Sequence, residues 1–589
     1  MSKSTLLAGP NPAVLAVAAL TVVVASPCAV LSFTPPISPV ALPAAASAAA
    51  QSPLFRSSSG SGKGNCRDPP ISSLNVVNDV TAQDSSVSDS ISCSSSASSS
   101  IGDGESTEPE FNWYKSWYPI IPVEYLDREK PQHFKLLNID LVVWNDGAVE
   151  GSQFGSKKDR SKGAKRQHGT WRVFADSCPH RRAPLSEGRV EDDGTILCSY
   201  HAWRWDGDGD LCNVPQAQSS DEFDRIKSNP KSSCNAFPAR VVNGLLWVWP
   251  ESGSDARIES ELTEVPIMKL PQEEDASIDE DLVVAGPWNF RELPYGHDYF
   301  LENVVDPAHV PSSHHNVVGN RYTGTNSLSM KTIEPVTKDG FAISVEPAVD
   351  NGDSPPSTTK YTAPCLVQIK APVGDAVQIL ELYSSPSRPG FCNHVGRQVV
   401  VKSKSGETPQ MLKAFLLPMP KWLNHVLAGL FLNQDALFLH SQERMLHERK
   451  EYSTNLDEDE ASYNYNTAVL PMSADKGVIN FRNWMRNKAG GRIPYFGNPS
   501  MPPIDNEVVF DIYNSHTKHC KNCSDALKNL RKARFISYFA AALVAALRPP
   551  KLGAIGSTVL AAVLGGLGLG INKLIGAMHR LEYSHAEND

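Results

Sequence analysis

The sequence predicts an α+β chain: an all-β N-terminal domain, a second domain mixing strands with helices, and an apolar helical hairpin after it. Three observations predict this. Residues 135–145, 170–175 and 244–250 are short runs of apolar, β-branched and aromatic residues suited to strands. From about 283 to 505 strand-like runs such as 366–369 and 378–383 alternate with helical ones. Residues 535–547 and 552–571, of 13 and 20 residues, are apolar and flanked by Arg531, Lys532, Arg534, Arg548, Lys551, Lys573 and Arg580.

At 589 residues the chain is long enough for several structural units. Residues 1–67 contain no Asp or Glu, although the net charge of the whole is −10, and read as a plastid targeting sequence. Within them residues 12–33 look like a secretory apolar core, and a Ser/Pro/Ala-rich stretch follows. The pair suggests bipartite targeting with a junction near Ser32-Phe33; an ordinary transit peptide is the plainer alternative. Residues 68–110 are Ser- and Asp-rich with few large apolar side chains, a composition that forms a disordered linker.

Residues 111–250 form the first domain. It contains Cys178-Pro-His180 and Cys198-Ser-Tyr-His201, two clips separated by 17 residues. A Rieske [2Fe–2S] cluster takes two thiolates on one iron and two imidazoles on the other, and each clip supplies one ligand of each kind. Zinc also accepts Cys2His2, but usually with Cys paired to Cys and His to His. A polar insertion carries Lys157, Lys158, Arg160, Lys162, Lys165 and Arg166. A solvated loop is the plainer reading of that charge run than a dock for an acidic electron donor. Residues 244–250 (GLLWVWP) close the domain as a buried strand, and the acidic residues 251–282 make a connector.

The second domain, 283–510, holds Asp306-Pro-Ala-His309 followed by Val310-Pro-Ser-Ser-His314-His315. Two histidines five apart plus a remote carboxylate can form the facial triad of a non-haem Fe(II) site. Asp306 and His309 share one side of a helical turn if that segment is helical. Pro311 predicts a bend before His314.

Cys520-Lys-Asn-Cys523 lies in segment 511–530. It reads as a redox switch, half of a metal site or two unrelated thiols, and no second C-x-x-C is present to complete a metal site. His519 and Lys518 are placed to lower a thiol pKa. The remaining cysteines show no disulfide-framework spacing. Residues 535–577 predict a transmembrane hairpin with a short first arm, since about 20 residues are needed to cross a bilayer. Gly566-x-x-x-Gly570 adds a small-residue packing motif. Nucleic-acid binding is excluded as a class by the negative charge and the lack of a basic recognition element.

The run CPHRRAPLSEGRVEDDGTILCSYHAWRWDGDG resembles the Rieske domain of aromatic-ring and tetrapyrrole oxygenases, with Ala202 where that family usually has Gly. The order of Trp117-Tyr118-Pro119, the LSEGR-containing box, ENVVDPAHVPSSHH, C-x-x-C and paired tail segments is similar, over about residues 111–580, to the plastid pheophorbide a oxygenase-like family. The resemblance implies a helix-covered antiparallel sheet around a mononuclear iron. It implies His309 and His314 as iron ligands, with His315 competing, and Asp435 of Asn433-Gln434-Asp435 as the third, with Glu443 as fallback. Asp435 read without the resemblance is equally a helix N-cap. Asp306 is implied to bond His309 and, across a subunit boundary, His201 of a neighbour in a ring of subunits, usually three. Reduced ferredoxin, O2 and a tetrapyrrole are the implied partners. A plastid membrane, envelope or thylakoid, is the implied location, and Cys520/Cys523 are implied to respond to thioredoxin. Pheophorbide a ring opening is the leading expected reaction. The alternatives are methyl-group oxidation of chlorophyllide or protochlorophyllide, and a redox-sensing role in plastid protein import.

Overall fold

A computed structural model describes residues 110–150, 166–346, 355–406, 408–413, 419–451 and 468–585. The expected targeting sequence, the linker up to residue 109 and Lys157 to Lys165 of the basic insertion lie outside the described residues. Arg166, at the end of that insertion, is described and is not a docking cation. Its guanidinium is buried and donates to the carbonyls of Gly147 (2.6 Å) and Glu191 (3.1 Å).

Three small antiparallel sheets build the first domain. One has the order β1 (Tyr118–Pro122), β11 (Leu245–Val248), β10 (Ala239–Val242). The second runs β2 (Gln132–Leu136), β3 (Ile139–Asn145), β4 (Trp171–Ala175), β9 (Ala236–Phe237). The third is a ladder of short strands, β5 (Arg189–Val190) to β8 (Leu211–Asn213) through β6 (Ile196–Leu197) and β7 (Arg204–Trp205), and α1 (Ser220–Lys227) follows it. The run 135–145 is therefore not one strand. Leu137 and Asn138 both adopt positive φ, +50° and +65°, and make the two-residue turn whose twist matches its flanking strands. The turn docks on the second domain: its amides donate to the carbonyls of Pro386 and Ser387, each at 2.7 Å.

The second domain is an eight-stranded antiparallel sheet. Its order is β12 (Val283–Ala285), β19 (Phe391–Val401), β18 (Ala376–Arg388), β17 (Leu366–Val373), β16 (Ser357–Thr362), β15 (Gly340–Glu346), β14 (Ser329–Thr337), with β13 (Asn289–Leu293) also paired to β19. Helices α3 (His297–Val304), α4 (Lys421–Glu451) and α5 (Lys476–Asn487) accompany it. The connector is more than a tether: it forms α2 (Ser254–Leu262), and the Trp117 indole donates to the carbonyls of Ser260 (3.3 Å) and Thr263 (3.1 Å).

Two apolar cores result. The larger joins Trp113, Trp117, Trp247 and Trp249 to Tyr361, Tyr383 and Trp484, so the sheet closing the first domain shares its core with the second. The smaller packs Val142, Trp144, Phe174, Leu185, Ile196 and Trp205 around Cys178 and Cys198.

Helices α6 (Lys521–Leu547) and α7 (Gly553–Ala577) pair as a hairpin of the kind that anchors a protein to a bilayer. α7 is apolar and long enough to cross a bilayer. It exposes Ile555, Val559, Val563 and Leu569, and α6 exposes Phe535, Ile536, Phe539, Leu543 and Leu547. The apolar part of α6 spans only about 20 Å at 1.5 Å per residue, short of a ~30 Å hydrocarbon core. The close helix approach does not occur at Gly566, which has open space beside it. It occurs at Gly568, where a Cβ would meet the Tyr538 ring at 2.5 Å.

Candidate metal centres

The two Cys-His clips are near copies of one loop. In the first, the Cys178 amide donates to the Ala183 carbonyl (2.8 Å) and the Arg182 amide to that of Cys178 (2.8 Å). In the second, the Cys198 amide donates to Trp203 (3.0 Å) and the Ala202 amide to Cys198 (2.9 Å). The fourth residue after each cysteine turns left-handed, Arg182 at φ +59° and Ala202 at +58°. That geometry is why glycine is usual at the second position, and alanine adopts it at a cost of about 1 kcal/mol.

The paired loops bury both thiols and bring the His180 and His201 rings to 4.7 Å, at the surface end of the domain. His180 stacks on Trp203 at 4.4 Å and 3°. Two inner sulfurs and two outer nitrogens are the donor set that a Rieske [2Fe–2S] cluster requires, so the residues fit the group.

His309, His314 and Asp435 converge from two separate segments. Asp306 caps a tight turn, Pro307–His309, by accepting from the Ala308 amide at 2.8 Å. The short helix Val310–Ser313 follows and ends at His314. Pro311 lies in the first turn of that helix, where its missing N–H costs nothing, so it begins a helical turn rather than forcing the bend. Asp435 is not a helix N-cap: it lies inside α4.

His314 Nδ1 donates to Gln434 Oε1 (2.9 Å), and His309 Nδ1 donates to the main-chain carbonyl of Asp306. Both Nε2 lone pairs therefore face Asp435 Oδ2, at 3.1 Å from His314 and 3.8 Å from His309. Ser313 donates its hydroxyl to the other oxygen of Asp435. Two nitrogen lone pairs and one carboxylate oxygen on a single face form a 2-His-1-carboxylate iron site.

The two competing ligands are engaged elsewhere. His315 Nδ1 accepts from the Arg321 amide at 3.0 Å. Glu443 accepts from the Gly296 amide at 2.9 Å, and burial followed by the charge of Asp298 pushes its carboxyl up to about 8. Asp306 corrects one expectation in part: within the chain its carbonyl, not its carboxylate, holds His309. The second carboxylate oxygen lies 4.0 Å from His309 Nδ1.

Sequence reasoning missed Arg482, whose guanidinium donates to both oxygens of Glu302 (3.0 and 2.9 Å) and fixes α3 just ahead of the metal-binding turn. It also missed Gln434 and Ser313 as supports of the triad. The imidazoles beside Cys520 and Cys523 are those of His425 and His516, whereas His519 packs on Phe134.

Residues 116–230 match the Rieske [2Fe-2S] domain family, and residues 361–452 match the Pheophorbide a oxygenase family. The chloroplastic pheophorbide a oxygenase of Arabidopsis thaliana is 32% identical over 435 residues, covering 71% of this chain and 73% of its own. That of Oryza sativa subsp. japonica is 31% identical over 428 residues, covering 70% and 73%. The chain belongs to the pheophorbide a oxygenase family. The flavonoid 8-hydroxylase 2 of Ocimum basilicum, also chloroplastic, is 29% identical to the chain over 447 residues, covering 72% of this chain and 76% of its own. Relatives with different named activities thus resemble the chain over similar lengths. Family membership and the two iron-binding donor sets make it a plastid Rieske non-haem iron oxygenase.

Proposed function

We propose that this chain oxygenates a chlorophyll-derived tetrapyrrole, opening the macrocycle of pheophorbide a with electrons from reduced ferredoxin and with O2. The observation that carries the reading is the seating of the iron-bearing helix against the chain that leaves the hairpin. Asn433, two residues before Asp435, donates to the Leu581 carbonyl, and the His585 ring packs at a tilt against Phe438, with centroids 4.1 Å apart. A site beside the base of a membrane hairpin suits a large apolar ligand taken from a bilayer.

Cys178, His180, Cys198 and His201 hold the cluster, and His309, His314 and Asp435 hold the mononuclear iron. When bound, the cluster relays single electrons and the iron supplies O2 activation. The protein residues orient these groups. Gln434 and the Asp306 carbonyl take the Nδ1 protons of His314 and His309, which keeps each Nε2 free for metal. Ser313 fixes the Asp435 carboxylate so that one oxygen stays turned to the histidines. The partly exposed Asp306 carboxylate has one oxygen not engaged by Ala308, and we assign it to His201 of a neighbouring subunit in a trimeric ring.

The test is purified, detergent-held full chain with reduced ferredoxin and 18O2, offered pheophorbide a, chlorophyllide a and protochlorophyllide a separately. Label in the product with loss of the long-wavelength macrocycle band supports ring opening. Label with the band retained assigns methyl-group oxidation instead. No label from any of the three would remove the tetrapyrrole reading and leave an oxygenase of another substrate or a redox-sensing role.

A further inference from the structure

We propose that His425, His516, Cys520 and Cys523 form a third metal centre, a closed tetrahedral Zn2+ site separate from both iron sites. The four side chains come from three elements. His425 lies in the second turn of α4 and His516 in the π-helical turn Tyr513–Thr517; Cys520 caps α6 and Cys523 sits in its first turn. All four are buried, and one ligand atom from each lies within 4.8 Å of the other three. The sequence shows only the C-x-x-C half. Its partners are His516, seven residues before Cys523, and His425, 95 residues before Cys520, which only the fold brings to the others.

The hydrogen bonds around the imidazoles set their protonation. His425 Nε2 donates to the Trp288 carbonyl at 3.1 Å, and His516 Nδ1 donates to the Phe290 carbonyl. Both carbonyls come from the start of β13 or the residue before it. Each ring is thereby fixed as the tautomer whose lone pair faces inward, the arrangement that outer carbonyls give to metal-bound histidine. The inner nitrogens, His425 Nδ1 and His516 Nε2, lie 3.1 Å apart. Neither carries a proton in that tautomer, so this contact is two lone pairs facing each other. Cys523 Sγ is 3.2 Å from both, and its single S–H can serve only one of them.

A divalent cation satisfies all four donors at once. Zn–N bonds near 2.0–2.1 Å and Zn–S near 2.3 Å give a tetrahedron with edges of roughly 3.3–3.8 Å. The nitrogen–nitrogen and nitrogen–sulfur separations here are 3.1, 3.2, 3.2 and 3.7 Å. Charge balances as well: Zn2+ with two thiolates and two neutral imidazoles has no net charge, which suits burial. Thiolate ligands exclude Mg2+ and Ca2+, which take oxygen.

The centre ties the second turn of α4 to the root of the hairpin. Asp435 lies ten residues further along the same helix, about 15 Å away. Zinc would thus staple the helix that supplies an iron ligand to the membrane anchor. Cys520 and Cys523 are 0% and 1% exposed, which leaves a protein reductant no thiol surface to meet.

Metal analysis of the full chain, purified in detergent without air or chelator, tests this directly. The expected result is about one zinc per chain beside the iron. Cys520→Ser combined with Cys523→Ser should lose at least 90% of the zinc and keep the Rieske electron-paramagnetic signal. Should that variant fail to fold, cobalt exchanged into the unaltered protein should give the visible bands of tetrahedral Co2+ with thiolate-to-cobalt charge transfer. Absence of stoichiometric zinc in the unaltered chain, with free thiols or with a Cys520–Cys523 disulfide reducible by thioredoxin, would overturn the proposal. Zinc fully retained after both substitutions would overturn it too.

Discussion

Ala202 is the residue at which a one-methyl difference has a measurable consequence. It holds φ +58° in the loop that presents His201, while the matching position of the first clip is Arg182. Ala202→Gly should relieve the strained backbone and stabilise the first domain by about 1 kcal/mol, less the added freedom of the unfolded chain. Thermal unfolding followed by cluster absorbance checks it, and an unaltered cluster spectrum should accompany the gain. Asp306 gives the second residue-scale prediction. Because its carbonyl holds His309, Asp306→Asn should leave both iron centres loaded and lower coupled turnover about 100-fold. Iron analysis beside product formation distinguishes this from simple loss of metal. At this scale the sequence was informative where ligands cluster: Cys178, His180, Cys198 and His201 fall within 24 residues, and His309 and His314 are five apart. It was silent where partners meet only in the fold. Arg482 is 180 residues from Glu302, and His425 is 98 from Cys523.

Elements carry the geometry that single ligands cannot. Helix α3 leads into the iron-binding turn and is held by the buried Glu302–Arg482 pair. Removing one partner from such a pair strands the other charge, at a cost of roughly 3–5 kcal/mol. Arg482→Met should therefore destabilise the second domain by that order and lower mononuclear iron occupancy while the Rieske signal persists. The hairpin offers a separate prediction. Gly568→Leu places carbon where the Tyr538 ring lies and should splay α6 from α7, at about 1–3 kcal/mol, whereas Gly566→Leu should be tolerated. Cysteine cross-linking between the helices in detergent would register the difference. Sequence periodicity identified β4, β11 and the apolar half of α6, because those runs are self-contained. It merged β2 with β3, since the Leu137-Asn138 turn lacks the glycine that usually marks a two-residue hairpin.

Across the whole molecule the two domains share one aromatic core, so their stabilities are coupled. The second domain also holds buried carboxyls that bind protons more tightly when folded. Burial and then Asp298 push Glu443 up to about 8; burial and then Glu302 push Asp298 up to about 7. For an acid with a raised folded pKa, the stabilisation is complete below the unfolded value and is lost as pH rises through the folded one. The melting temperature should therefore fall from about pH 5 to about pH 8 and level off above that, and Glu443→Gln should flatten the fall. Constant stability over that range in the unaltered chain would contradict the assignment.

The central claim is that the two iron-binding sites act together on an organic substrate. A single turnover tests it most directly: full chain reduced beforehand, freed of ferredoxin, then mixed with 18O2 and pheophorbide a. The account predicts reoxidation of the Rieske signal matched by one labelled oxygen atom in the tetrapyrrole product. Reoxidation with no label in any organic product would contradict it.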